Sequence, residues 1–578
     1  MKTNPSRFKS LTITCLITLI AISCSSQKDK SEIPTGDFNI SIRSVVYSSD
    51  ENVVDVNPIQ SSESSDKLMG AVNKSGTVTN SANAVQTLDI HRTNNFDFIS
   101  DIQTNALEEA NTLSTKASVT KKAKASEVPM GENKKYRLIF IPEGSSTPIY
   151  NALLSPGQDP QLRVAANKKY FWYALSVNDS NSAPNIDGSG NIAGSDLSNR
   201  DFMYASGEII TKEENNYFDI TFLRQMAAVN VTINTRGIFG DITDNSTFSI
   251  GSGSGSTFTN IIQTGTFNIL KGEFTNLRET EPVKGSEMTI VDSRWGNAEK
   301  TARFYTANTA TTISADNLRV RINALSITLD DGTIRNFASN TLVPIKHSDK
   351  LILTKGTLSK TNVRLIESGI DIDGLVWART NLVYDVKKLY GSSYNKGYSD
   401  AYRFRTNNAY AKPNLNTEFW NFGTTTPTGT DYSKTDVCYK VYPEGTWRLP
   451  QESGKPKEMS QLVNNTNRTV SITSFSDGYR HSKTWACSQK ANPAYPDNNL
   501  ILSYYGYRDA KGVLQQQPIG NNGTGWLLFQ SNEYNPSNKN STILHAKVNK
   551  GNFPNPIIET IGFGAGTTIR CVRMTVNN

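Results

Sequence analysis

The chain is short of the groups that most enzymes use at neutral pH. Histidine occurs only at His91, His347, His481 and His545. These lie far apart and show no HExxH or His–Cys ligand spacing, so the common zinc motifs are absent and no metal ligands are assigned. A GxSxG nucleophile elbow is missing, because Gly251 to Gly255 puts Gly253 where the serine should stand, and no GxxxxGK phosphate loop occurs. Carboxylates such as Glu444, Glu452 and Asp509 sit in turn-rich stretches where solvated roles outnumber catalytic ones, so no catalytic residue is assigned and the chain is expected not to be an enzyme. After Leu11–Ile22 no run is long and apolar enough to span a bilayer. The formal net charge of +7 is spread along the chain, and its one local cluster, Lys116, Lys121, Lys122 and Lys124, reads as a solvated loop. Nucleic-acid binding calls for a dense basic face, so that class is set aside. Helical heptads are also lacking.

What is present is a long, β-favouring composition. At 578 residues the chain exceeds a single core, and 39 glycines, 22 prolines, 23 tyrosines and 23 phenylalanines supply turns and half-buried pleated surface. Residues 1–23 have the parts of an export leader: basic Lys2, Arg7 and Lys9, the apolar run Leu11–Ile22, and small Ser23. Ala21-Ile22-Ser23-Cys24 resembles the bacterial lipobox, with Ala21 in place of the commoner Leu. That resemblance implies a diacylated, palmitate-type anchor on Cys24, because more than one acyl chain is needed for stable attachment without a spanning helix.

Strand patterns follow. Phe38, Ile40 and Ile42 alternate with polar residues. Residues 48–84 read as a long loop, Val85–Ile90 as a second strand, and 107–132 as loose. Tyr136–Ile141, closed by Pro142-Glu143-Gly144, and Tyr170–Val177 are β-favouring runs bounded by turn residues, as is Phe218–Phe222, which continues through Met226 into Val229–Ile233. Gly251–Ser256 reads as a flexible loop, and Leu318–Ile327 as a strand before an Asp330-Asp331-Gly332 turn. Strands at this spacing, with hardly any helical pattern between them, predict antiparallel β-sandwiches.

Asn178 after the Tyr170–Val177 run, Asp201-Phe202-Met203-Tyr204-Ala205, and Phe218–Ile233 resemble the fimbrillin family of Bacteroidetes pili, with Arg224 where the family often has His. The resemblance covers residues 24–360 and implies two tandem transthyretin-like β-sandwiches, over 24–215 and 216–360. It further implies a surface-exposed outer-membrane lipoprotein that loses its first strand to a protease and joins other fimbrillin subunits in a fimbrium by donor-strand exchange. Main-chain hydrogen bonds and alternate side chains would then set affinity and register. The removable strand would carry Phe38, Ile40, Ile42 and Val45, and the arginines that such a cut follows are represented by Arg43 and Arg92.

From residue 361 the character changes to short, aromatic, turn-rich segments. Gly374–Leu382, Trp420-Asn421-Phe422-Gly423, Trp447-Arg448-Leu449-Pro450, Gly506-Tyr507-Arg508-Asp509 and Ile569–Arg573 come in an order that resembles the Fibrobacter major paralogous domain, related to C-type-lectin-like and formylglycine-generating-enzyme-like folds. The implied fold for 361–578 is an α+β lectin-like domain, departing from the pattern at Gln451–Lys457. A short helical turn is expected over Met459–Val463, and Trp377, Trp447 and Trp526 as core. A Cys438–Cys571 pairing would join the two ends of this domain. Its 133-residue separation is worth about 4 to 5 kcal/mol in the chain-entropy model, with Cys487 left unpaired. The calcium-marking Glu-Pro-Asn and Trp-Asn-Asp triplets are absent, and Asp497-Asn498-Asn499 reads as a turn, so no cofactor is assigned and calcium is unsupported. The reading is a mainly β pilus tip or accessory subunit of adhesin type, recognising a glycan or host surface through the loops 390–416 or 479–499. The alternatives are a glycan-binding surface lipoprotein outside any pilus and, third, an enzyme on a formylglycine-generating-like fold.

Overall fold

The computed structural model describes residues 38–48, 90–93, 96–104, 127–314, 316–345, 351–385, 400–406, 414–430, 436–452, 457–464, 470–474, 481–485, 500–515, 525–535, 540–548, 557–562 and 564–574. It is mainly β. The leader, Cys24, most of the 48–84 segment, the basic cluster, Cys487 and Asp497–Asn499 fall outside these residues. So do residues 85–89 of the expected second strand, while Ile90 is described and buried.

The first sheet has eight strands. Along its main path they run Glu127–Pro129, Phe38–Ser48, Asn216–Arg224, Met203–Ile210, Lys169–Ser176, Tyr136–Pro142 and Tyr150–Leu154, with Arg163–Val164 paired to Phe38–Ser48 off that path. The run Leu138-Ile139-Phe140-Ile141 is apolar without alternation because this strand is covered on both faces. Leu138 and Phe140 join one core with Trp172, Phe218 and Phe222, whereas Ile139 and Ile141 join another with Phe202, Phe267 and Ile269. Asn216–Arg224 alternates buried and exposed positions, which fits a strand with one dry face.

The second core lies between two sheets. One is six-stranded, in the order Thr289–Ile290, Glu299–Thr306, Ala227–Gly237, Leu358–Ile366, Asp97–Thr104 and His91–Arg92. The other is five-stranded and centred on Thr247–Ser252 and Leu318–Ala324. Val229, Val231 and Ile233 from the first meet Phe248, Ile250, Val320 and Ile322 from the second, giving a β-sandwich.

Several expectations shift. The change of sheet falls after Arg224 rather than at 215/216, because Asn216–Arg224 pairs with Phe38–Ser48 and Met203–Ile210. Asp97–Thr104 crosses over to pair along its whole length with Leu358–Ile366, so chain from the N-terminal third completes the second sheet. Glu127–Pro129, within the stretch read as loose, is an edge strand on residues 46–48. Leu318–Ile327 divides into Leu318–Ala324 and Ser326–Thr328, which serve different sheets, with Leu325 buried at the break. Gly251 and Ser252 end a strand instead of starting a loop.

The C-terminal residues 370–574 build two further cores. A hairpin, Ile370–Ile372 with Leu375–Trp377, turns at Asp373 and Gly374, both at positive φ, and pairs onward with Val572–Met574. Two successive left-handed residues give the twist that a two-residue hairpin needs, and Asp-Gly supplies them at low cost. One core gathers Trp377, the helix Glu458–Asn464 through Met459 and Leu462, Leu502 and Phe529. The other gathers Phe404, Trp420, Trp447, Cys438 and Cys571, and reaches back to Phe239 of the preceding unit.

Candidate functional site

The Trp447-Arg448-Leu449-Pro450 turn is a structural keystone. The Trp447 indole is buried and meets Phe404 edge-on at a centroid distance of 4.9 Å. Its backbone neighbours are fixed from both sides. Arg448 exchanges backbone hydrogen bonds with Val572 at 2.9 and 2.8 Å, and its guanidinium donates to both oxygens of Glu458 at 2.7 and 2.5 Å, which ties the turn to the helix. Leu449 N–H donates to the Asp436 carboxylate, which also accepts from Cys438 N–H. Burial pushes the Asp436 carboxyl up, against the lowering effect of those N–H donors. Cys438 and Cys571 are joined by a disulfide with Cα atoms 5.6 Å apart. The Arg448, Asp436 and Glu458 side chains are thus engaged in holding the turn in place.

Buried arginines fasten this unit to the second sandwich. Arg236, at the end of Ala227–Gly237, lies over the Trp295 ring at 3.4 Å and the Tyr442 ring at 3.8 Å, and forks onto both oxygens of Asp400 at 2.8 to 3.1 Å. Tyr442 Oη accepts from Asn234 Nδ2 at 2.8 Å. Arg573 pairs with Asp97, the two side chains being 3% and 4% exposed. Burial, and then the Arg92 charge, push the Arg573 guanidinium down to about 9. The Asp97 carboxylate supplies the opposite charge that a guanidinium at such depth needs, since an uncompensated one is costly.

Between the two units an open cleft of about 490 Å³ is lined by the Asp330-Asp331 turn of the second sandwich and by Tyr384, Asp385, Arg405 and Glu418 of the C-terminal unit. Arg403 spans it, pairing with Asp330 at 2.7 Å and donating to the Phe239 carbonyl at 2.8 Å. Arg405 pairs with Glu418, whose carboxyl burial pushes up while that guanidinium pulls it down. The Tyr384 ring is only half-buried and meets Tyr402 and Trp420 edge-on. Among the described residues no group of three or more His, Cys, Asp or Glu could hold a metal ion, and no helix is long and apolar enough to cross a membrane.

At the other end, the four residues named for the removable strand are divided. Ile40 and Val45 are buried in the first core, while Phe38 and Ile42 are half-buried. The strand runs parallel to Asn216–Arg224, with an irregularity between Ile42 and Ser44. Arg43 sits at that point with its side chain 62% exposed, on Asp219 at 2.6 Å. Arg92 lies apart, on a two-residue edge strand of the second sheet, paired with Asp371 at 3.0 Å.

Residues 162–371 match the fimbrillin-like family. Solved structures similar to the chain include a candidate cell adhesion protein from Bacteroides fragilis (TM-score 0.26, 11% identity, covering 45% of this chain and 94% of that one). Another is a fimbrial assembly protein from Parabacteroides distasonis (TM-score 0.21, 10% identity, 40% of this chain and 82% of that one). No curated protein matches the chain. The fimbrillin-like match ends at Asp371, beside the turn where the C-terminal unit begins.

Sequence reasoning missed the cleft and the arginine clasp. Asp330-Asp331-Gly332 read only as a turn, and Arg236 and Asp400 are 164 residues apart. The signal available was the placement of Arg403 and Arg405 on alternate positions of an otherwise aromatic strand, which requires buried partners for both.

Proposed function

We propose that the chain is a surface adhesin of the pilus type, a tip or accessory subunit that binds without bond chemistry. The observation that carries this is the Phe38–Ser48 strand: an N-terminal segment inserted between Glu127–Pro129 and Asn216–Arg224 inside a sheet, where its loss would leave a slot lined by Phe218, Ile220 and Phe222. Another subunit's strand would fill that slot through main-chain hydrogen bonds, with alternate side chains setting register. The fimbrillin-like match of residues 162–371 supports association with other fimbrial subunits.

On this reading residues 24–360 form two tandem transthyretin-like sandwiches that carry a lectin-like C-terminal domain, and Cys24 is the lipid anchor to the outer membrane until assembly. Of the two arginines, Arg92 suits the cut better. Cleavage after Arg43 would leave residues 44–47 on Asn216–Arg224, with 46–48 paired to Glu127–Pro129 as well, whereas cleavage after Arg92 frees the whole strand and spares the pairing of Asp97–Thr104. The extra unit beyond the matched segment supports a recognition role at a tip or branch. Mass spectrometry of surface-sheared pili tests the proposal: the chain is expected there with an N-terminus beyond residue 48, and a full-length protein confined to membranes would refute it.

A further inference from the structure

We infer that the cleft between the second sandwich and the C-terminal unit is a composite binding site for a neutral saccharide, an inference that rests on the adhesin reading and gives it a ligand class and a place. The cleft volume of about 490 Å³ falls within the range of roughly 300 to 1,000 Å³ typical of small-molecule sites. Its walls come from both units, so neither alone forms it.

The chemistry selects the ligand. Among the described lining residues four carboxylates (Asp330, Asp331, Asp385 and Glu418) accompany two guanidiniums (Arg403 and Arg405), an acidic excess that disfavours phosphates, sulfates and sialylated sugars. A strongly cationic ligand gains little in return. Asp330 is already paired with Arg403 and Glu418 with Arg405, while Asp331 accepts from Thr333 N–H at 3.0 Å and from its hydroxyl at 2.6 Å. Such pairs set acceptors and donors side by side along the cleft: a carboxylate has about four acceptor positions and a guanidinium five donors. Adjacent sugar hydroxyls, each both donor and acceptor, match that alternation, and bare ions do not. The half-buried Tyr384 ring adds an apolar edge for the C–H face of a pyranose, held in place by Tyr402 and Trp420 behind it.

Two features make the arrangement a built site. Arg403 and Arg405 are buried charged side chains brought to the cleft floor by one strand, Tyr402–Phe404, and its continuation. The Arg236–Asp400 clasp immediately before that strand ties it to the second sandwich, whose Asp330-Asp331 turn forms the other wall.

The test uses the full-length chain on an array of neutral oligosaccharides, with sialylated and sulfated glycans and basic peptides as separate arms. Binding is expected in the neutral arm, and Asp331→Asn, Asp385→Asn and Tyr384→Ala are each expected to weaken it about tenfold, the loss of roughly one good polar or ring contact. Melting curves of each variant show that the fold is intact. The decisive variant is Asp331→Asn: it lies outside the C-terminal unit, so a site confined to that unit's own loops would not respond to it. Unchanged binding in all three folded variants overturns the placement, and binding confined to the anionic or peptide arms, or to none, overturns the ligand class. Incorporation into sheared pili is read separately, so failure here leaves the subunit reading standing or falling on its own evidence.

Discussion

The chain holds its two ends in place by opposite means. At the N-terminal end, Phe38–Ser48 is retained by ladder hydrogen bonds and by Ile40 and Val45, while its ion pair, Arg43–Asp219, lies largely in solvent. At the C-terminal end, the unit from 370 onward is clasped by ion pairs largely withdrawn from water, Arg573–Asp97 and Arg236–Asp400, with Trp295 and Tyr442 stacked about the latter. A ladder can be unzipped and remade with any strand of suitable pattern, because backbone groups are the same in every sequence. A buried guanidinium needs its own carboxylate at one position, and losing that partner is heavily penalised. The first joint suits exchange and the second suits permanence.

Five measurements would break or sharpen that contrast. Replacing Cys438 by Ser is expected to have the largest effect, a loss of about 4 to 5 kcal/mol for a loop of this length, seen as early unfolding of the C-terminal unit in denaturant with the first sheet unaffected. Asp97→Ala, which strands Arg573, should cost about 3 to 5 kcal/mol and should release the C-terminal unit from the second sandwich, detected as faster hydrogen exchange at 570–574. Ile40→Ala should cost about 3 kcal/mol and speed proteolysis near residues 38–48 without touching the clasp. Asp219→Ala should change stability by less than about 1 kcal/mol; a large loss would mean that the first joint is also held by charge.

The smallest effect concerns pH. Asp509 accepts from the backbone N–H groups of Val513 and Lys511 and from the Gln515 amide in the Tyr507–Gln515 hairpin, which holds its carboxyl below the usual range. A lowered carboxylate contributes stability that is present above its ordinary value, near 4, and is lost as pH falls through the lower folded value. Wild type should therefore melt above Asp509→Asn at neutral pH, with the two curves converging in acid.

Strands with a single dry face were legible because alternation is local: Phe218 to Phe222 announces its own orientation. The Tyr136–Ile141 run was legible as a strand too, but that both its faces are covered appeared only in the fold. Strand partners were less legible. Nothing in Asp97–Thr104 states that it belongs beside Leu358–Ile366, since pairing is decided by backbone groups that every residue carries. Trp447 was readable as an anchor from its size and its turn. The cleft was not, since its lining is drawn from two units far apart along the chain, and surface carboxylates in a turn look alike whether or not they face a second unit.

The Asp97–Arg573 pair joins residues 476 positions apart. Synthesis places Asp97 in the chain long before its partner exists, so the second sheet can close early around a carboxylate that still awaits its cation. A chain that stops short of residue 573 lacks that cation, and with it the buried ion pair that joins the second sheet to the C-terminal unit. Attachment of the two regions therefore waits on residue 573, although its acidic half is laid down within the first hundred residues.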